Sequence, residues 1–328
     1  MKIAFTICSN NYLSQAKTLL DSMQLLASDY VFYIFLVDEY SSQIDYDFFK
    51  PANIVLAKDL PVNFNSLKEK YNIIELNTCI KASCFKYVFE HNSDAVHAHY
   101  FDPDIEIFNS LNYLDENFNE YDFLITPHIS KILSWGSKEP NENLFLNHGL
   151  YNLGYIGLKG NSVKVNEMLD WWENRTLNYG FYRLERGLFV DQLWINYVPI
   201  YYPKETKILF HFGCNMGPWN LHERKLKYVN NEYIVNEEYP LVFFHFSSYK
   251  YSKPNVISNN YRYDFETNPE LIPIYNSYNE KIQKNKIGVL SKVSCAYFNN
   301  KPSINFLKRI VQYMEVALFK LKYYLNPM

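Results

Sequence analysis

Segments that favour strands alternate with segments that favour helices over the first 130 residues of this chain. An apolar run occupies residues 2–8, and apolar side chains then recur at helical spacing over 13–23. Residues 30–38 are a continuous apolar run that ends at Asp38, which is typical of a strand buried in a parallel sheet. The remaining elements predicted in this half are strands at 53–60, 94–105 and 121–128 and one helix at 66–91. The alternation predicts an α/β fold with right-handed crossovers between parallel strands.

Polar side chains stand at the carboxyl ends of several predicted strands. Ser9, Asp38, Asp102 and His128 each follow an apolar run. Ligands of open α/β sheets bind beyond these strand ends, so we expect a binding site there. The second half is less regular, with strands predicted at 149–159 and 240–250 and helices at 165–181 and 188–199.

Composition narrows the class of protein. Charged residues make up 20% of the chain and the formal net charge is −3, which argues against a general nucleic-acid binder. The five cysteines show no zinc-type spacing, so we expect reduced thiols and a cytoplasmic location. The amino terminus has the pattern of a first strand, and we find no uncharged apolar window of about 18 residues that predicts a membrane-spanning helix.

The sequence "YFDPDIEIF", residues 100–108, places Asp102 and Asp104 at the end of a buried strand with Pro103 between them. Two carboxylates are hard ligands that suit Mg²⁺ or Mn²⁺, and proline restricts the backbone that joins them. A phosphatase with Asp102 as nucleophile is a second interpretation, although the residues that usually accompany it are missing. A solvated loop in which one aspartate caps a turn is the third. The pair of aspartates alone leaves all three open.

Five segments together resemble the GT-A glycosyltransferases, and most closely the family 8-like bacterial enzymes that build surface polysaccharides. They occur in the expected order as "TICSNNYLSQAKTLLDSM", "NTCIKASCFKYVFE", "YFDPDIEIF", "YNLGYIGLK" with "LFVDQLWIN", and "FFHFSSYK". The resemblance covers roughly residues 1–255. It implies a Rossmann-like mixed sheet flanked by helices, with a catalytic domain at 1–265 and a C-terminal helical extension at 266–328.

The resemblance implies a Mn²⁺ or Mg²⁺ site formed by Asp102, Asp104 and a histidine that follows a later strand. His245 in "HFSSYK" matches that histidine. His211 in "HFG" is the alternative, which we rank second because it does not follow the strand at the end of the catalytic region. Ser248 departs from the family pattern, because a glycine usually occupies this position.

The same resemblance implies a nucleotide-sugar donor, which we expect to be a UDP-sugar. The segment "TICSNNY" corresponds to the part of the family that holds the base and ribose, and Gly154 would let the donor sugar approach the backbone. The residues that the resemblance assigns to the donor are Thr6, Cys8, Asn10, Tyr12, Lys81, Asp102, Asn152 and Gly154.

Asp191 and Gln192 match the start of the family's "DQxxxN" helix and would lie beside the anomeric carbon. Family 8 implies retention of configuration, with Gln192 or a backbone group stabilising the sugar cation. Inversion, with Asp191 as the general base, is the alternative. Residues 211–224 resemble an acceptor-side segment, and the expected acceptor contacts are His128, Asn215, Trp219 and Asn220.

Residues 303–325 have apolar side chains at helical spacing and several lysines and arginines. A basic amphipathic helix of this kind binds an anionic membrane surface or packs on a protein, and both interpretations stay open. A glycosyltransferase that extends a glycan or lipid-linked glycan at the inner face of the cytoplasmic membrane would use the first. The competing functions are a metal-dependent phosphatase or phosphodiesterase, and a glycan-binding protein without catalysis.

Overall fold

The computed structural model describes residues 1–133, 141–258 and 263–298, with six further residues between 311 and 321. Its main feature is a sheet of seven strands in the order β10-β6-β7-β4-β1-β2-β3. Within the described residues the strands are β1 (Lys2–Cys8), β2 (Tyr30–Leu36), β3 (Asn53–Leu56), β4 (His97–Phe101), β5 (Ile105–Ile107), β6 (Phe123–Pro127), β7 (Tyr151–Lys159), β8 (Tyr182–Arg183), β9 (Leu188–Phe189), β10 (Thr206–Ile208), β11 (Leu226–Val229), β12 (Glu232–Val235), β13 (Tyr239–Pro240) and β14 (Phe243–His245).

Helices cover both faces of this sheet. The α-helices are α1 (Leu13–Leu26), α2 (Phe64–Lys70), α3 (Ile73–Cys79), α4 (Lys81–His91), α5 (Asn112–Asn117), α6 (Glu142–His148), α7 (Val163–Tyr179), α8 (Val198–Tyr201), α9 (Ile272–Lys284) and α10 (Ile287–Leu290). The 3-10 helices are Asn10–Tyr12, Tyr46–Phe49, Ala57–Asp59, Leu184–Arg186, Leu193–Tyr197, Pro218–Asn220 and Pro269–Leu271.

The sheet is mixed, which confirms the predicted fold class of an α/β sheet flanked by helices. Strands β3, β2, β1 and β4 pair in parallel, whereas β7 runs antiparallel between β4 and β6. Side chains alternate between faces along each strand. In β1, Ile3 and Phe5 pack with α4 and α7 on one face, and Ala4 packs with α1 on the other. The carboxyl ends of the four parallel strands share one edge.

The region predicted as one helix over 66–91 forms three helices, so that prediction was wrong. Asn72 separates α2 from α3. It caps the amino terminus of α3, because its side chain accepts hydrogen bonds from the backbone N–H groups of Ile74 and Glu75. The Glu75 carboxylate accepts in return from Asn72 N at 3.0 Å, which completes a capping box. This break brings the carboxyl end of α3 and the start of α4, where Lys81 lies, to the edge of the sheet.

A short antiparallel pair, β5 with β14, stands beyond the main sheet. Helix α9 covers it, and the rings of Phe246 and Tyr278 stack with their centroids 3.7 Å apart. Asn285 donates to Thr18 Oγ1 of α1 at 3.0 Å. The described part of the predicted extension, 266–298, therefore packs against residues 1–265.

Most of the predicted amphipathic helix, 303–325, lies outside the described residues. The described positions in it are helical and exposed, and they are Val311, Tyr313, Met314, Ala317, Leu318 and Leu321. All five cysteines are buried and free. In the part of the chain that the structure describes, no helix has the length and apolar character needed to cross a membrane.

Candidate functional site

Asp102, Asp104 and His245 meet at the carboxyl edge of the sheet, and we call them the cleft cluster. Asp102 follows β4, where its backbone N–H donates to Gly154 O of β7 at 2.8 Å. Asp104 lies two residues further on, just before β5. The antiparallel pairing of β5 with β14 sets His245 opposite Ile105, and Phe246 N donates to Asp104 O at 2.9 Å. Strand pairing thus joins residues that are more than 140 positions apart.

The atoms of the cleft cluster face one another at ligand distances. His245 Nε2 lies 3.1 Å from Asp104 Oδ1 and 3.6 Å from Asp102 Oδ2. Burial lowers the pKa of His245, but the carboxylates of Asp104 and Asp102 outweigh burial and hold this pKa above its ordinary value. Tyr100 donates its hydroxyl to Asp102 Oδ1, which orients that carboxylate. Two carboxylate oxygens and one imidazole nitrogen form a set of donors suited to a divalent cation.

Gly154 makes room for the His245 ring. A Cβ at position 154 would lie 2.5 Å from His245 Cε1 and Nδ1, closer than any side chain tolerates. On its other side, the ring contacts Trp219 edge-on, with centroids 5.1 Å apart. The glycine that we predicted for close approach of a sugar is therefore already required by the histidine.

The cleft cluster opens into a cleft of about 890 Å³. It is wide enough for a drug-sized or nucleotide-sized ligand. The predicted site residues that line it are Cys8, Tyr12, Lys81, Asp102, Asp104, His128, Asn152, Gly154, Asp191, Gln192 and His245. The structure does not place Thr6, Asn10, Asn215, Trp219 or Asn220 among the lining residues.

Lys81 and Asp191 form a buried ion pair in the wall of the cleft. Lys81 Nζ lies 2.6 Å from Asp191 Oδ2, and the two side chains are 3% and 2% exposed. Lys81 also donates to Leu153 O at 2.9 Å and lies 4.1 Å from the centroid of the Tyr100 ring. Burial raises the pKa of Asp191, and Lys81 opposes that shift. Lys81 is therefore fixed in place rather than solvated on the helix surface.

Gln192 holds two backbone segments together beside Asp191. Its Oε1 accepts from Leu153 N at 2.9 Å, and its Nε2 donates to His148 O at 2.7 Å. Val190, which precedes Asp191, has a φ of 40°, a left-handed conformation that is rare for a β-branched residue. This strained backbone turns Asp191 and Gln192 into the cleft, whereas the sequence predicted a plain helix start.

The end of β1 supplies one wall of the cleft through Cys8 and Tyr12. Thr6 is fully buried inside the sheet. Asn10 is buried as well, since its side chain donates to Glu39 O at 2.9 Å and accepts from Tyr46. Its backbone N–H donates to Asp38 Oδ2 at 3.1 Å. Asn10 therefore shapes this wall from behind, and a direct donor contact through Thr6 or Asn10 has no exposed surface to use.

The expected acceptor residues form a buried network instead of a surface. Asn215, Trp219 and Asn220 are at most 1% exposed. Asn215 Nδ2 donates to Thr126 Oγ1 at 2.7 Å and to Asn152 Oδ1 at 3.1 Å. Asn220 Nδ2 donates to Asn215 O at 3.0 Å. These side chains support the floor of the cleft, and they lie too deep to contact an acceptor directly.

His128 lies at the boundary of that network and the cleft. Burial lowers its pKa to about 3, so its ring is neutral near neutral pH. Its Nε2 is 3.2 Å from Asn152 Nδ2, and its ring packs edge-on against Trp219. Of the four predicted acceptor residues, this is the one that lines the cleft.

The structure separates the two candidate histidines. His211 packs between Tyr113 and Tyr239, and among the described residues it belongs to no group of side chains placed to hold a metal ion. Ser248, where the family pattern has glycine, lines the cleft with a φ of 61°. The chain thus keeps the backbone conformation that favours glycine without having the glycine.

Sequence reasoning missed one whole wall of the cleft. Helix α3 contributes Ile74, Asn77 and Thr78, and Phe298, which follows α10, also lines the cleft. The capping box at Asn72 was a usable signal for the first three, since it ends α2 early. No pattern in the sequence near Phe298 indicates a role in the site.

Comparison with known proteins gives one sequence relative and several structures. No protein-family model matches the chain. The uncharacterized protein YfnF of Bacillus subtilis (strain 168) is 26% identical to it over 254 residues, which are 77% of this chain and 83% of YfnF.

The similar solved structures include glycosyltransferases. Galactosyltransferase LgtC, in complex with donor and acceptor sugar analogues, matches with a TM-score of 0.47 and 12% identity, over 87% of this chain and 96% of that chain. Glycosyltransferase GlyE of Streptococcus pneumoniae TIGR4 matches with a TM-score of 0.48 and 12% identity, over 90% and 66%. At these identities no residue role transfers from one protein to the other.

Proposed function

We propose that this protein is a metal-dependent GT-A glycosyltransferase that moves a hexose from a UDP-sugar to a glycan acceptor. The observation that carries the proposal is the cleft cluster, which sets two carboxylates and one imidazole at the mouth of a nucleotide-sized cleft. The sheet edge where it lies is the edge at which open α/β sheets bind ligands. The resemblance of five segments to GT-A glycosyltransferases favours this class over other metal-dependent enzymes.

The residues of the cleft cluster fit a divalent cation. Neighbouring ligands of an octahedral Mg²⁺ are about 2.9 Å apart, given bonds of about 2.0–2.1 Å. His245 Nε2 and Asp104 Oδ1 are 3.1 Å apart, and Asp102 is within 3.6 Å of the same nitrogen. Asp102 and Asp104 are part-exposed, so phosphate oxygens can reach the remaining positions. A cation bound here would neutralise charge that develops on a departing diphosphate.

The charge of the cleft wall supports the need for that cation. Among the described residues that line the cleft, Lys81 is the sole lysine or arginine, and Asp191 already neutralises it. Asp102 and Asp104 add two negative charges. A nucleoside diphosphate would therefore meet a wall of net negative charge unless a divalent cation accompanied it. Binding of UDP should depend on the metal almost completely.

The side chains of this chain prepare the donor for transfer. Lys81 stays fixed between Asp191 and Leu153 O, so this part of the cleft wall needs no rearrangement when a donor binds. Gln192 holds β7 to the end of α6, where a donor sugar would lie. We propose retention of configuration, because Asp191 is 2% exposed and paired with Lys81, which leaves its carboxylate poorly placed to take a proton from an acceptor as inversion requires. Analysis of the product anomer by NMR distinguishes the two outcomes.

Calorimetric titration of UDP into the full chain tests the proposal. We expect binding with Mn²⁺, no measurable binding with EDTA, and a loss on the order of 100-fold or more in Asp104→Asn. Asp47→Asn is the matched control, since that carboxylate is 77% exposed and pairs with the similarly exposed Lys50. Unchanged binding in EDTA would overturn the metal role.

A second step tests the reaction class and its setting. If UDP binds, incubation with UDP-hexoses and a sugar acceptor should give transfer, whereas release of phosphate from esters without an acceptor would favour a phosphatase. We propose that the acceptor is a bacterial surface glycan or a lipid-linked precursor, made on the cytoplasmic side of the membrane. Flotation of the full chain with anionic vesicles tests the membrane contact of 303–325.

A further inference from the structure

A second group of metal-binding side chains lies at the opposite end of β4. His97 and His99 are alternate residues of this strand, so both side chains point to the same face of the sheet. Helix α5 packs on that face and carries Asp115. We call His97, His99 and Asp115 the amino-end cluster. It is independent of the cleft, because the length of β4 separates them.

The distances in the amino-end cluster match a tetrahedral site. His97 Nε2 is 3.2 Å from Asp115 Oδ1, and His99 Nε2 is 3.3 Å from the same oxygen. Ligands at the corners of a tetrahedron around Zn²⁺ are about 3.3 Å apart, given bonds of about 2.0–2.1 Å. Two imidazoles and one carboxylate are a common set of ligands for this ion.

Asp115 Oδ1 has more neighbours than its lone pairs can serve. His97, His99 and the hydroxyl of Tyr30 all approach this one oxygen. A carboxylate oxygen offers about two sites for hydrogen bonds. Two of these neighbours present imidazole nitrogens that act as ligands when they carry no proton. A cation among the three atoms removes the crowding, because each atom then directs one lone pair to it.

Neighbouring groups orient the ligands from behind. Tyr155 OH lies 3.0 Å from His99 Nδ1, which leaves Nε2 free of a proton when Nδ1 is the donor. Lys2 Nζ lies 2.9 Å from Asp115 Oδ2, so Oδ1 alone faces the histidines. Gly157 stands opposite His99 on β7, where a Cβ would come within 2.9 Å of His99 Nδ1. Hydrogen bonds of this kind, which orient the ligating side chains, are typical of metal sites in proteins.

We propose that the amino-end cluster binds a divalent transition-metal cation of the Zn²⁺ class. A cavity of about 550 Å³, lined by His97 and Asp115 among others, gives the ion access from solvent. Tyr30 OH, 3.3 Å from His97 Nε2, occupies the fourth corner as a ligand or as the partner of a ligating water. The ion would tie α5 to the sheet, so its role is structural and it takes no part in transfer.

Zinc binding by the full chain tests this proposal, and an Asp104→Asn background removes the competing cleft cluster. Zn²⁺ alone is titrated against a chelating dye. We expect one ion per chain, and a loss of affinity on the order of 100-fold in His97→Gln. His91→Gln, which changes an exposed histidine at the end of α4, should bind like the background. Equal affinity in a folded His97→Gln variant would overturn the proposal.

A second measurement needs no change in the amino-end cluster. Co²⁺ bound to the Asp104→Asn chain should give the intense visible absorption of tetrahedral coordination, and Zn²⁺ in equimolar amount should abolish it. Zn²⁺ should also raise the melting temperature of this chain. Weak octahedral Co²⁺ absorption with no thermal shift would overturn the proposal, even if His97→Gln failed to fold.

Discussion

The two ends of β4 carry two groups of similar residues with different chemistry. The cleft cluster has two carboxylates and one imidazole, whereas the amino-end cluster has two imidazoles and one carboxylate. Asp102 is 31% exposed and Asp104 is 21% exposed, but Asp115 is 12% exposed and His99 is fully buried. Oxygen-rich, open sites suit Mg²⁺ or Mn²⁺ with a phosphate ligand, and closed, nitrogen-rich sites suit structural Zn²⁺. One strand thus separates the proposed catalytic site from the proposed structural site.

Each cluster also has a lysine–aspartate pair and a glycine on β7. Lys81 pairs with Asp191 beside the cleft, and Lys2 pairs with Asp115 at the amino end. Gly154 makes room for His245, and Gly157 makes room for His99. The parallel construction lets matched substitutions show which end of β4 performs which task.

The largest effect on stability is expected from the buried pair. Lys81→Met leaves the Asp191 carboxylate without its partner in a buried position, which should lower the free energy of unfolding by about 3–5 kcal/mol. The double variant Lys81→Met/Asp191→Leu should recover most of this loss, because it removes both charges. Urea unfolding of the three proteins gives the comparison. A double variant as unstable as the single one would contradict the explanation by charge.

The two glycines should separate the clusters. Gly154→Ala displaces the His245 ring, and we expect Mn²⁺-dependent UDP affinity to fall on the order of 10–100-fold. Gly157→Ala should leave that affinity unchanged and weaken Zn²⁺ binding at the amino end. Calorimetry with UDP and dye competition with Zn²⁺ measure the two. Equal losses of UDP affinity in both variants would show that the ends of β4 are not independent.

His128 tests how burial changes the pKa of a histidine, because burial is the main cause of its lowered pKa. Its pKa is about 3 when folded, whereas an unfolded histidine binds a proton near pH 6.5. Between these two pH values the unfolded state binds more protons than the folded state. The contribution of His128 to the free energy of unfolding therefore falls as pH falls, by about 1.4 kcal/mol per pH unit. His128→Gln should lose less stability than the parent between pH 6 and pH 4. Parallel urea-unfolding results for the two proteins across this range would refute the assignment.

The smallest effect is expected from the more exposed lysine. Lys2 is 31% exposed and shares its charge between Asp29 and Asp115, so solvent screens both pairs. Lys2→Met should lower the free energy of unfolding by about 1 kcal/mol or less, measured in urea as for Lys81→Met. A decrease in the free energy of unfolding equal to that of Lys81→Met would show that solvent does not screen the ion pairs of Lys2.

The sequence predicts those parts of the site that depend on local pattern. Asp102 and Asp104 follow an apolar strand with a proline between them, which marks them as candidate ligands, whereas His245 was assigned through the resemblance to the family. Their convergence depends on the β5–β14 pairing, which short-range patterns do not contain. The resemblance to a family supplied that pairing indirectly.

The misplaced residues depend on burial, which sequence pattern does not reveal for polar side chains. Asn215, Trp219 and Asn220 have the composition of a sugar-binding surface, yet the loop they belong to folds beneath His245. The sequence pattern did not predict the amino-end cluster, because its residues lie in separate elements and look like core residues. His97 and His99 occupy core positions of a strand, and Asp115 joins them from a helix that begins after β5.

The length of β4 is as restricted as its composition. Strands rise about 3.3 Å per residue and alternate faces, so the five steps from His97 to Asp102 span about 16 Å and direct the two ends to opposite faces of the sheet. One added codon within this strand would turn the histidines or Asp102 toward the wrong face. A library of insertions across the gene should therefore tolerate none here, whatever amino acid the new codon encodes.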